Sequence, residues 1–189
     1  MQRLAVYCGS SMGNDPYFAE LANQLGERMA ERGIDLVYGG GKLGLMGVIA
    51  DTVLANGGKV YGVIPEILRN HEVAHPDLTE LHIVDGMHER KAKMTELTDA
   101  FVAIPGGIGT LDELFEAWTW NALGYHAKPF GLLNINGYWD NLTAFLDNVA
   151  GHGFMSEARR QQLLISDNMD DILDQLAAKA TGQQGKVTW

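Results

Sequence analysis

Short, almost wholly apolar runs alternate along this chain with longer stretches in which apolar residues recur every three or four positions. The runs Leu4–Cys8, Asp35–Tyr38, Lys59–Ile64, Glu80–Val84, Ala100–Ile104 and Phe130–Ile135 read as strands. The intervening stretches predict helices at Pro16–Arg32, Leu43–Asn56, His88–Thr98, Leu111–Leu123, Tyr138–Val149 and Asp170–Lys179. Short apolar strands between amphipathic helices imply βαβ units and a parallel sheet buried on both faces. The expectation is therefore one doubly wound α/β domain over residues 1–180, with ligands gathered beyond the carboxyl ends of the strands. Residues 181–189 read as a flexible tail, and Arg69–Asp77 as a polar loop or short helix.

Composition narrows the function classes. A chain of 189 residues with 46% hydrophobic content is long enough for a full core. The formal net charge of −10 argues against general nucleic-acid binding and against anionic membranes, while leaving room for a local phosphate site. A single cysteine, Cys8, excludes an intramolecular disulfide, and the histidines lack metal-ligand spacing. No apolar run approaches the ~20 residues of a membrane span, and Met1-Gln2-Arg3 leads straight into a strand, so a cytoplasmic location is expected.

Three turns of small residues follow strands: Cys8-Gly9-Ser10-Ser11, Gly39-Gly40-Gly41-Lys42-Leu43-Gly44, and Pro105-Gly106-Gly107-Ile108-Gly109-Thr110. One such turn supplies only a tight bend, but three in register point to a phosphorylated ligand. The second matches G-x-G-x-x-G, with Glu66 at the spacing of a ribose-binding acid, although it sits on the second strand rather than the first. It is not a Walker A loop, since Lys42 is followed by Leu43.

The third turn opens a helix, whose free N–H groups and dipole favour an anion. Thr110 and Glu113 there have two readings. T-x-x-E is a capping box, which alone accounts for both residues. Alternatively Glu113 is an ionised carboxylate beside a glycine loop, suited to stabilising a sugar cation or activating water. Upstream, Met87-His88-Glu89-Arg90-Lys91 puts two cations near the positive end of a helix, which favours an anionic partner; the competing reading is an ordinary pair such as Glu89 with Lys93. Trp118, Trp120, Leu114, Phe115 and Leu123 make the helix after the glycine loop apolar on several sides, for a core or a subunit interface.

These residues resemble a known family. PGGIGTLDE is similar to the PGGxGTxxE signature of the LOG ("lonely guy") cytokinin-activating phosphoribohydrolases, long described as possible lysine decarboxylases. YCGSS, YGGGKLGLMG, GVIPE and MHERK follow in that family's order, so the resemblance runs from about Leu4 to Val149. It implies a Rossmann-like homodimer that cleaves the N-glycosidic bond of adenosine-type 5′-monophosphates, releasing base and ribose 5-phosphate without cofactor or metal. On this chain the resemblance implies Arg90 and Glu113 as catalytic residues. It implies Gly9, Ser10, Gly106, Gly107, Gly109 and Thr110 around the phosphate, and Met87, Lys91, Thr119 and Glu72 as further substrate contacts. The alternatives are a non-catalytic nucleotide-binding protein, a lysine decarboxylase with pyridoxal phosphate on Lys42, and a dinucleotide oxidoreductase.

Overall fold

The computed structural model describes residues 1–69 and 73–181. Its seven strands are β1 (Arg3–Tyr7), β2 (Asp35–Tyr38), β3 (Val60–Pro65), β4 (Glu80–Val84), β5 (Ala100–Ala103), β6 (Phe130–Leu133) and β7 (Leu163–Ser166). All pair in parallel in one sheet of order β4-β3-β2-β1-β5-β6-β7. The helices are α1 (Tyr17–Glu31), α2 (Gly44–Ala55), α3 (Met87–Leu97), α4 (Ile108–Ala122), α5 (Asp140–Gly151), α6 (Glu157–Arg160) and α7 (Met169–Thr181). This is a doubly wound, Rossmann-like α/β fold.

Strand alternation divides the core in two. Leu4, Val6 and Cys8 of the β1 segment face one side, against α1, α2 and α7, through residues such as Leu21, Ile49 and Ile172. Ala5 and Tyr7 face the other, where Met94 of α3, Leu114 and Trp118 of α4 and Leu146 of α5 complete a second cluster. Burial on both faces explains why the strands read as continuous apolar runs.

The direction of winding reverses at β1. From there the chain builds outward through β2, β3 and β4, then returns to place β5 on the other side of β1. The crevice between the ends of β1 and β5 is thus the switch point at which such sheets bind ligands.

The molecule departs from the sequence expectations at five points. A seventh strand, Leu163–Ser166, and the four-residue α6 were not read from the pattern. Helix α4 begins at Ile108 rather than Leu111, with Gly107 as N-cap in an extended conformation and no side chain capping the helix. Thr110 therefore lies inside the first turn, and the Thr110–Glu113 capping box does not form. Lys93 pairs with Glu96 at 2.9 Å rather than with Glu89. Residues 182–189 of the expected tail, and Glu72, lie outside the described residues.

Candidate active site

Two loops meet at the switch point. The N–H of Gly9, after β1, donates to the carbonyl of Pro105, after β5, at 3.1 Å. This approach demands glycine at 106, where a Cβ would lie 2.8 Å from the Gly9 nitrogen and 2.1 Å from Thr110 Oγ1. Tyr138 fixes the same turn from outside, its hydroxyl donating to the Gly106 carbonyl at 2.7 Å.

Beside these loops opens a cleft of about 250 Å³. Gly9 and Ser10 line it from the β1 loop, Gly107, Gly109, Thr110 and Glu113 from the start of α4, and Met87 and Arg90 from α3. Cys8, Ser11, Met46, Leu68 and Ile108 complete the wall. Gly106 lines an adjoining recess of about 210 Å³ that shares Gly9, Ser11 and Gly107 with the cleft.

The first turn of α4 leaves backbone N–H groups without intrahelical partners, and the helix dipole adds positive potential there. Apart from its chain neighbours and the helix's own backbone, no atom lies within 4 Å of where a Cβ of Gly107 or Gly109 would stand, so this terminus is open to a close-fitting anion. Thr110 Oγ1 is buried without a hydrogen-bond partner in a residue only 3% exposed. A buried hydroxyl left unpaired is unfavourable by about 1–3 kcal/mol, which an acceptor in the cleft would offset.

Arg90 enters from the opposite wall and is itself 3% exposed. Its Nε donates to the Val63 carbonyl at 3.1 Å, and one terminal nitrogen donates to the Gly39 carbonyl at 2.8 Å. The backbone of β3 and the turn after β2 thus aim the guanidinium. Gly39 makes room for it, because a Cβ there would lie 2.0 Å from that terminal nitrogen. The second glycine loop is accordingly a scaffold: its glycines do not line the cleft, and the Met46 N–H ties it to the Gly9 carbonyl at 3.3 Å.

Glu113 and Arg90 act on the same buried neighbourhood. Burial, then the negative charges of Glu113 and Glu116, hold the Tyr7 phenol well above its usual value, with Arg90 opposing. Burial and Glu113 likewise raise the Cys8 thiol, so this cysteine is a poor nucleophile.

Other expected residues lie elsewhere. Lys91 reaches α4, where its ammonium bonds Asp112 and Glu116. Thr119 is exposed, roughly 14 Å along α4 from Thr110 at 1.5 Å per residue. Lys42 is exposed, and Glu66 pairs with Arg69 at 3.6 Å, away from the cleft. Of the other lining residues, Ser11 belongs to the first small-residue turn and Met46 to the start of α2 within YGGGKLGLMG, whereas Leu68 sits in a 3₁₀ turn that follows β3 and carries no motif.

Comparison with known proteins adds sequence relatives to this geometry. A family model described as "Possible lysine decarboxylase" matches residues 46–176. The chain is 48% identical, over 90% of its length and 77% of the relative's, to a probable cytokinin riboside 5′-monophosphate phosphoribohydrolase of Oryza sativa subsp. japonica. It is 46% identical to a cytokinin riboside 5′-monophosphate phosphoribohydrolase of Arabidopsis thaliana, over 93% of this chain and 81% of that one. The molybdenum cofactor binding protein of Rippkaea orientalis superposes with a TM-score of 0.69 at 21% identity, over 93% of this chain and 95% of that one, a likeness of fold.

Proposed function

This chain belongs to the LOG family of cytokinin riboside 5′-monophosphate phosphoribohydrolases, and from that premise we propose that it hydrolyses the N-glycosidic bond of N6-substituted adenosine 5′-monophosphates. The observation that carries the reading is the cleft itself. An open helix N-terminus and an unpartnered buried hydroxyl, Thr110 Oγ1, stand on one side of a space that also holds Glu113 and Arg90.

In this mechanism the 5′-phosphate sits on the N–H groups of the first turn of α4, with Thr110 Oγ1 donating to a phosphate oxygen. Gly9 and Ser10 close over it from the β1 loop. Binding energy from this remote group holds the ribose against Glu113, one turn further along the helix. As the C1′–N9 bond breaks, its electron pair leaves with the base and positive charge spreads over C1′ and the ring oxygen. The Glu113 carboxylate stabilises that charge and orients the water whose oxygen bonds to C1′; the departing base takes up a proton. Arg90, held by two backbone carbonyls, is a fixed positive charge at the cleft wall, and Met87 packs beside it, with its Sδ 3.8 Å from an Arg90 nitrogen.

A lysine decarboxylase would require a lysine at the site for pyridoxal phosphate, and no lysine lines the cleft among the described residues. The protein acts as a homodimer in the cytoplasm on the same reading. An aromatic surface of Trp120 and Tyr125 beside Leu123 supports the dimer, with Leu123 and Tyr125 58% and 68% exposed. No described helix is long and apolar enough to cross a membrane.

The test is incubation with AMP and with its N6-isopentenyl derivative, followed by chromatography of the bases and an assay for ribose 5-phosphate. Equal release of base and ribose 5-phosphate is expected. Folded protein that releases neither overturns the reading.

A further inference from the structure

We infer that Lys91 is a positioning residue, clamping α3 to α4 and compensating the shielded Glu116 carboxylate one turn from Glu113. The inference rests on the catalytic reading above. Lys91 follows Arg90 directly on α3, but its side chain leaves the cleft. Its Nζ lies 3.1 Å from Asp112 Oδ2 and also bonds Glu116 Oε2. Asp112 precedes Glu113, and Glu116 lies one turn beyond it, so both partners share the helix that carries the carboxylate of the cleft.

The pair is well shielded. The Lys91 and Glu116 side chains are 14% and 19% exposed, and the only other cationic contact to Glu116 among the described residues is a distant one, His88 Nδ1 at 3.7 Å. Burial lowers the Lys91 ammonium, but bonds to Glu116 and Asp112 outweigh it and raise the group overall, keeping it charged. Removing this cation strands a shielded carboxylate next to the site, which is more disruptive than losing an exposed pair. Tyr7 senses Glu113, Glu116 and Arg90 together, so a stranded Glu116 charge falls on the same electrostatic neighbourhood that Glu113 and Arg90 occupy.

The experiment compares Lys91→Met, Lys91→Arg and the double variant Lys91→Met/Glu116→Gln in steady-state release of base from AMP. Circular dichroism melts confirm folding. Lys91→Met should lose roughly 10- to 100-fold in kcat, the scale of a misplacement at the site, with KM nearly unchanged. Lys91→Arg should retain most activity, and the double variant should recover most of what the single one lost, because the shielded Glu116 charge is gone and the remaining Asp112 carboxylate is half exposed to water. A rise in KM with kcat intact, or a double variant no better than Lys91→Met, overturns the inference. Wild-type protein that releases no base instead overturns the catalytic reading, which separates the two failures.

Discussion

Gly39→Ala should disable the site although Gly39 does not itself line it. The added methyl carbon would lie 2.0 Å from a terminal nitrogen of Arg90, whereas ordinary contact begins near 3.4 Å. The guanidinium must therefore retreat by roughly 1.4 Å, the difference between those distances. That movement breaks the 2.8 Å bond to the Gly39 carbonyl and strains the 3.1 Å bond to Val63. Each charge-assisted bond is worth about 1.5–3 kcal/mol, and a catalytic group misplaced by about 1 Å loses on the order of 10²-fold in rate, or ~2.7 kcal/mol. The assay is kcat for base release from AMP, with Gly151→Ala as control, since nothing lies within 4 Å of a Cβ there. Arg90→Ala should lose a similar amount, and the double variant Gly39→Ala/Arg90→Ala should be no worse than Arg90→Ala alone. A folded Gly39→Ala protein with wild-type kcat, or losses that simply add, refutes the argument that this carbonyl cradle aims Arg90.

Two further outcomes follow from single groups. Thr110→Val removes a buried, unpartnered hydroxyl, so the free protein should gain about 1 kcal/mol in thermal stability while KM for AMP rises roughly 10-fold; a fall in stability with KM unchanged contradicts the assigned role. His126 is held from 6.5 down to about 4, chiefly by burial and next by Lys128, with a hydrogen bond to the Ala117 backbone opposing. Its depressed value means that stability is full above about pH 6.5 and is lost as pH falls toward 4, by up to about 3 kcal/mol for the 2.5-unit gap. In urea melts wild type should lose stability relative to His126→Phe as pH falls over that interval; a pH-independent difference contradicts it.

Much of this was legible because parallel strands buried on both faces leave continuous apolar runs, and small residues at their ends mark where loops crowd together. Strand β7 escaped because Leu163–Ser166 is only four residues long, with no glycine turn or motif beside it. The start of α4 differs from the expectation for a physical reason. Thr110 and Glu113 satisfy the spacing of a capping box, but the extended Gly107 already starts the helix and leaves the threonine hydroxyl inside the first turn. The destination of Lys91 was equally hidden, because its partners Asp112 and Glu116 lie about twenty residues away and meet it only through the packing of α3 on α4. The role of the second glycine loop depends on Arg90, 51 residues away in sequence, filling the space that Gly39 leaves.

Glu113 is expected to perform chemistry on a nucleotide held by the start of α4. Glu113→Gln preserves the shape of the side chain and removes its charge, so calorimetric titration with AMP and chromatographic assay of base should be made on the same preparation. AMP affinity within a few-fold of wild type is expected, with base release lowered by at least roughly 10³-fold. Unchanged turnover by Glu113→Gln would contradict it outright.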